Sequence, residues 1–198
     1  MKKEKALNTR RLVLLALLSA IVIILQLLAI YTRPLFPAFA ISLVLMPIVV
    51  GAALIGAGAG AWLGLIFGLA VLLSGDAAAF MAIDPFGAIV VVLFKGVLAG
   101  LFSALVYKSV ANKNKTGAAI LAAIICPLVN TGVFVIGVYL FFLPTVTQWG
   151  LTTGFENVTT FIFLGMIGIN FVVELILNLV LCPSIIRLVQ YGEERKAD

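Results

Sequence analysis

Long apolar runs with almost no charge constrain the fold of this chain more than any other feature. Four are plain in the sequence: 12–31, 85–107, 117–143 and 160–186. Hydrophobic residues make up 64% of the 198 residues, mean hydropathy is +1.27, and only 11% are charged, against roughly 25% in soluble domains. A helix of ~20 apolar residues crosses the ~30 Å hydrocarbon core of a bilayer. The sequence therefore predicts an all-α polytopic membrane protein with one membrane domain, 1–198.

A fifth uncharged stretch, 41–75, decides how many times the chain crosses. As one helix it would be roughly 50 Å long, too long for a single span. All basic residues except Arg33 and Lys95 lie in three clusters, at 2–11, 108–115 and 187–196. They share one face only if 41–75 crosses twice, which the positive-inside rule favours. We therefore predict six transmembrane helices with both termini cytoplasmic, at about 11–31, 40–55, 59–75, 86–107, 117–142 and 160–187.

Small residues recur at four-residue spacing in two of these helices. The third predicted helix carries a ladder of Gly56, Gly60, Gly64 and Gly68, and Lys95 is followed by Gly96, Gly100 and Ala104. Residues four apart share a helix face, and glycine there lets two backbones approach closely in lipid. The ladder fits helix packing inside the protein, or a smooth surface that slides against a partner.

A few polar side chains lie deep within the apolar runs. Lys95 and Asn170 are each ~15 Å from the predicted outer face, and Glu174 is ~20 Å deep. Asn170, Glu174 and Asn178 follow at i, i+4 and i+8, so they share one face. Asn130 lies near mid-depth in the fifth helix, and Gln26 lies in the first.

Ionisable groups at this depth are costly and mark a pairing, a cavity or a ligand. Two interpretations are compatible with the pattern. Lys95 and Glu174 form a structural pair, or Lys95 engages an anionic or hydroxylated solute in a pocket between the fourth, fifth and sixth helices.

Several functional classes are excluded by missing residues. The chain has no histidine, so it holds neither a Ser-His pair nor an HExxH zinc site. It also lacks a GxxxxGK[ST] phosphate loop, so it cannot hydrolyse ATP itself. We predict that the chain is not an enzyme, uses no cofactor or metal, and binds no nucleic acid.

The chain resembles the substrate-binding S component of an energy-coupling-factor (ECF) vitamin transporter in three features. These are the six predicted helices, the AxxxA pattern of Ala16 and Ala20 in helix one, and the glycine ladder in the second hairpin. The resemblance spans essentially the whole chain. It implies an outward-facing pocket between the C-terminal helices, under the external loops. It also implies docking of Ala16 and Ala20 on a transmembrane coupling protein that is bound to two ATPase subunits.

The resemblance also implies a set of substrate-binding candidates, chosen here by depth and polarity. These are Lys95, Asn130, Asn170 and Glu174 from the helices, with Arg33, Phe36 and Trp149 from external segments 31–40 and 144–159. Lys95 and Arg33 suit a small carboxylate that also bears hydroxyls and an amide, so pantothenate is the preferred substrate. Cobalamin, folate and other B vitamins remain alternatives.

Other classes of membrane protein remain open. A self-sufficient secondary transporter or channel would move solute alone in liposomes, and a non-transport scaffold would bind none. The expected location is the plasma membrane of a prokaryote, with multiple passes.

Single cysteine replacements test the predicted topology. In intact cells an impermeant thiol reagent is expected to label Thr152→Cys and to spare Lys113→Cys and Ala197→Cys, because the membrane keeps the reagent out of the cytoplasm. Labelling of position 113 from outside would contradict the six-helix topology.

Overall fold

Helices form the whole architecture of the chain that the computed structural model describes, residues 2–32 and 43–194, and these ranges contain no strand. In chain order they are α1 (Lys2–Thr32), α2 (Leu45–Leu54), α3 (Ala57–Leu73), α4 (Ala78–Met81), α5 (Pro85–Ala111), α6 (Lys115–Gly137), α7 (Leu143–Thr152), α8 (Val158–Thr160) and α9 (Gly168–Glu194). Two π-helical segments, Val138–Phe142 and Phe161–Ile167, precede α7 and α9. The all-α prediction is confirmed.

Among the described residues, four helical stretches are long and apolar enough to cross a membrane: Thr9–Ala29, Pro85–Ala111, Lys115–Thr152 and Asn170–Arg187. The predicted pair at 40–55 and 59–75 appears as two shorter apolar helices, α2 and α3. α2 has 10 residues, so it is ~15 Å long and covers about half of a hydrocarbon core. Positions 40–42 of its predicted span lie outside the described residues.

Only residues 153–157 of the predicted external loop 144–159 lie outside helices. The π-helical segment Val138–Phe142 carries the chain from α6 straight into α7, which is helical to Thr152. Pro144 does not stop this helix because it occupies the first turn, where a missing backbone N–H costs nothing. The prediction of a loop from 144 was therefore wrong, and the connection shrinks to 153–157.

The glycine ladder packs α3 against α5 inside the protein. A Cβ atom on Gly64 would overlap the carbonyl oxygen of Gly96, and one on Gly60 would overlap that of Gly100. A Cβ on Gly68 would come within 3.0 Å of the Val92 carbonyl oxygen. These helices touch backbone to backbone, so the packing interpretation of the ladder is confirmed for these three glycines.

Gly56, the first member of the predicted ladder, forms a turn and does not pack against α5. It lies in the α2–α3 turn with φ 121°, and no atom lies within 4 Å of the place where its Cβ would be. Only glycine adopts this backbone conformation without strain. The packing ladder therefore begins at Gly60.

Hydrogen bonds stabilise the hairpin formed by α5 and α6. Asn114 caps α6 by accepting a hydrogen bond from the Gly117 amide at 2.9 Å, as N-cap asparagines do. Inside the hairpin, the buried Ser103 hydroxyl donates to the Ala122 carbonyl oxygen at 3.1 Å. Cys126 and Cys182 are free thiols buried in the interior.

Substitutions of two glycines in α3 test this packing. Gly64→Ala is expected to lower the free energy of unfolding by about 1–3 kcal/mol, because the added methyl overpacks the α5 backbone. Gly58→Ala is the matched control, since no atom lies within 4 Å of its Cβ position. It should be neutral or slightly stabilising. Thermal unfolding in detergent measures both, and equal stability of the two variants would contradict the close α3–α5 contact.

Candidate functional site

A cavity of about 200 Å³ lies among five helices near the end of the bundle where α1 and α3 end and α5 begins. Its lining combines charged, amide and aromatic side chains: Gln26, Ala29, Phe67, Asp76, Lys95, Asn130, Thr131, Phe134, Met166, Ile167, Asn170, Phe171 and Glu174. Such a mixture of an apolar wall with a few converging polar groups is typical of small-molecule sites. The sequence predicted walls from α5, α6 and α9, and the structure adds α1 and α3.

The position of Lys95 in this cavity follows from the glycine packing. The residue next to it, Gly96, touches the α3 backbone, which brings the Lys95 side chain beside α3. Its ammonium lies 5.6 Å from the ring centroid of Phe67 and 5.4 Å from that of Phe134. Both distances fall within the range of a cation–π interaction, which partly replaces lost hydration.

Two carboxylates share the cavity with this ammonium. Asp76, in the turn after α3, and Glu174, on α9, both interact electrostatically with Lys95. Asp76 Oδ2 also accepts a hydrogen bond from Gln26 Nε2 at 3.2 Å, which ties the turn to α1. Glu174 is buried, with 9% of its surface exposed.

The polar face of α9 becomes more buried along the helix. Asn170 is exposed, Glu174 is mostly buried and Asn178 is 1% exposed. Asn178 Nδ2 donates to the Glu174 carbonyl oxygen at 2.8 Å, and its Oδ1 accepts from the Cys182 thiol at 3.3 Å. The first two residues line the cavity, whereas the third is satisfied within the protein.

Asn130 lies on α6 in a different environment. It is buried, with 9% of its surface exposed, and it lines the cavity with Thr131 and Phe134. Its Oδ1 is shielded from water and has no hydrogen-bond partner among the residues that the structure describes. Most buried side-chain acceptors are satisfied, so such an atom needs an explanation.

The structure brings four of the seven predicted binding residues to one cavity: Lys95, Asn130, Asn170 and Glu174. Trp149 lies elsewhere. It packs edge-on against Phe80 with ring centroids 5.7 Å apart, beside Phe142 in a second apolar cluster. Trp149 is not among the lining residues of the cavity. Arg33 and Phe36 lie outside the described residues.

Sequence reasoning missed several lining residues. Gln26 was visible as a polar residue in an apolar helix, and Asp76 as an acid at a helix end, but neither was assigned to the site. The aromatic residues Phe67, Phe134 and Phe171 carry no such signal, because phenylalanine is common throughout this chain. Only the packing of the helices shows which rings face the cavity.

The predicted docking residues lie on the outside of the bundle. Ala16 and Ala20 are exposed on α1, in a stripe with the exposed side chains of Leu17 and Ile24. The opposite side of the helix is buried, with Val22 fully enclosed and Gln26 in the cavity. The same helix therefore borders the cavity and the outer surface.

Comparison with known proteins shows the family to which the chain belongs. A family model for the substrate-specific component of ECF transporters matches residues 10–186. The match covers most of the chain, so the chain belongs to this family of membrane transport subunits. Such a component is not an enzyme; it binds a small-molecule substrate and works with an ECF module. No curated protein and no solved structure matches the chain.

The electrostatic coupling between Lys95 and Glu174 generates a test of stability. Lys95→Met or Glu174→Gln alone is expected to lower the free energy of unfolding, because each removes a favourable electrostatic interaction from a buried charge. The double variant should recover part of the loss, since it removes both charges and leaves Asp76 in place. Thermal unfolding of the four proteins in detergent measures the coupling, and strictly additive losses would refute it.

Proposed function

We propose that this chain is the high-affinity subunit of an ECF importer that captures a vitamin or related micronutrient from outside, with pantothenate as the preferred substrate. The observation that carries the proposal is the mixed cavity around Lys95 in a chain of this family. An ammonium at this depth is costly without counter-charges or a ligand. Asp76 and Glu174 interact with it electrostatically, and a substrate carboxylate would form an additional ion pair.

The size and lining of the cavity support a small substrate. A volume of about 200 Å³ is below the roughly 300–1,000 Å³ of sites for drug-sized ligands. This favours pantothenate over cobalamin or folate. Asn130 and Asn170 would meet its amide and hydroxyl groups, and Phe134 and Phe171 its apolar carbons. Extraction of the purified protein and mass spectrometry of the released solute test this assignment directly.

The proposed topology has six membrane segments with both termini in the cytoplasm of a prokaryotic cell. The support is the distribution of basic residues, together with the α2–α3 hairpin, which turns at Gly56 near the basic α5–α6 connection. In this orientation the cavity opens outward. Arg33 and Phe36, in the segment between α1 and α2, remain candidates for contact with the substrate.

Delivery of the substrate would depend on docking to a transmembrane coupling protein that carries two ATPase subunits. Ala16 and Ala20 supply the contact in this proposal, because they present no bulk beyond Cβ on an exposed face. The energy for transport would come from those ATPases.

Bulky substitutions on α1 test docking separately from binding. Ala16→Trp and Ala20→Trp are expected to bind substrate normally but to lose ATP-dependent uptake and co-purification with the coupling protein, because the indole prevents close helix approach. Leu105→Trp, at an exposed site on α5, is the control and should retain both. Uptake by the wild-type chain alone in proteoliposomes would show instead a self-sufficient carrier.

A further inference from the structure

The unsatisfied amide of Asn130 is the starting point. Its Oδ1 is the single buried side-chain nitrogen or oxygen atom without a hydrogen-bond partner among the side chains that the structure describes. A buried acceptor without a partner destabilises the protein, because it has lost water and gained nothing. A group that is retained at such a cost in a cavity wall is explained by a ligand that supplies the missing bond.

Asn178 shows that this bundle can satisfy a buried amide when no ligand is involved. Its Nδ2 and Oδ1 both have partners, on the Glu174 carbonyl and the Cys182 thiol. Asn178 does not line the cavity, whereas Asn130 does. Other groups of the protein therefore satisfy the Asn178 amide, whereas Asn130 Oδ1 has no described partner.

The geometry around Phe134 relates Asn130 to Lys95. Asn130 and Phe134 are four residues apart on α6, so they share a face at a separation of ~6 Å along the helix axis. The Lys95 ammonium lies 5.4 Å from the Phe134 ring centroid. Lys95 and Asn130 are therefore both neighbours of Phe134 in the lining of the cavity.

We propose that Asn130 and Lys95 form a two-point recognition site for a solute that carries an anionic group and a neutral O–H or N–H donor. This rests on the proposed function and narrows its substrate class. The anionic group meets the Lys95 ammonium, and the donor binds Asn130 Oδ1. Asn130 Oδ1 is shielded from water, and the broad terminal torsion of asparagine lets the amide rotate toward the cavity when the solute binds.

This arrangement selects against solutes with only one of the two groups. A simple carboxylate leaves the Asn130 acceptor buried and unpaired. A neutral polyol forms no ion pair with the ammonium, which then keeps only its interactions with Asp76 and Glu174. Each solute therefore makes one of the two contacts and binds more weakly. Pantothenate has a carboxylate, an amide and hydroxyls, whereas panthenol replaces the carboxylate with an alcohol.

The first arm of the test needs no ligand. In the ligand-free protein, Asn130→Leu is expected to raise the midpoint of thermal unfolding by a few degrees, because it removes an unsatisfied acceptor. Asn178→Leu is the matched variant and should lower it, because that amide has two partners. An Asn130→Leu protein that melts below the wild type, or fails to fold, overturns the ligand role of Asn130.

The second arm measures binding of pantothenate and panthenol by isothermal titration. Asn130→Leu should weaken both by about tenfold or more. Lys95→Met should weaken pantothenate by about tenfold or more and change panthenol by less than about threefold. Unchanged pantothenate affinity in either variant overturns the two-point site and leaves the proposed function standing. A wild-type chain that binds neither solute overturns the proposed substrate, and the stability arm then decides the role of Asn130.

Discussion

The backbone contact between α3 and α5 sets the geometry of the rest of the molecule. In lipid there is no hydrophobic force to hold helices together, so association depends on close van der Waals packing and interhelical hydrogen bonds. Gly64 and Gly96 supply this packing, because any Cβ at either position would overlap a carbonyl oxygen of the other helix. The neighbouring residues, Phe67 and Lys95, are thereby brought into their cation–π contact. The position of the Lys95 ammonium thus depends on the contact between Gly64 and Gly96.

Polar groups inside this bundle fall into two kinds. Ser103 and Asn178 form hydrogen bonds within the protein and serve the packing of helices. Lys95 and Asn130 face a cavity, where the first contacts aromatic rings and the second has an acceptor without a described partner. Since both kinds cost free energy to desolvate, the second kind fits the proposed substrate site. A substrate-specific transport subunit requires such a site.

Helix α1 borders both the cavity and the outer surface of the bundle. Gln26 is buried and lines the cavity, where it binds the Asp76 carboxylate. Ala16 and Ala20, two to three turns earlier, face outward. In the docking proposal, the substrate and the coupling protein would therefore contact the same helix.

The class of protein and the long helices can be read from the sequence alone, because bilayer thickness and helical rise constrain a chain along one dimension. The same constraint predicts the depth of Lys95 and Glu174. It also predicted the shared face of Asn170 and Glu174 from their four-residue spacing. Which side chains meet across helices depends on the tertiary structure. The Gln26–Asp76 bond spans fifty residues, and Trp149 packs against Phe80 without lining the cavity. Rotation of each helix about its axis depends on packing against its neighbours, which spacing within one helix does not encode.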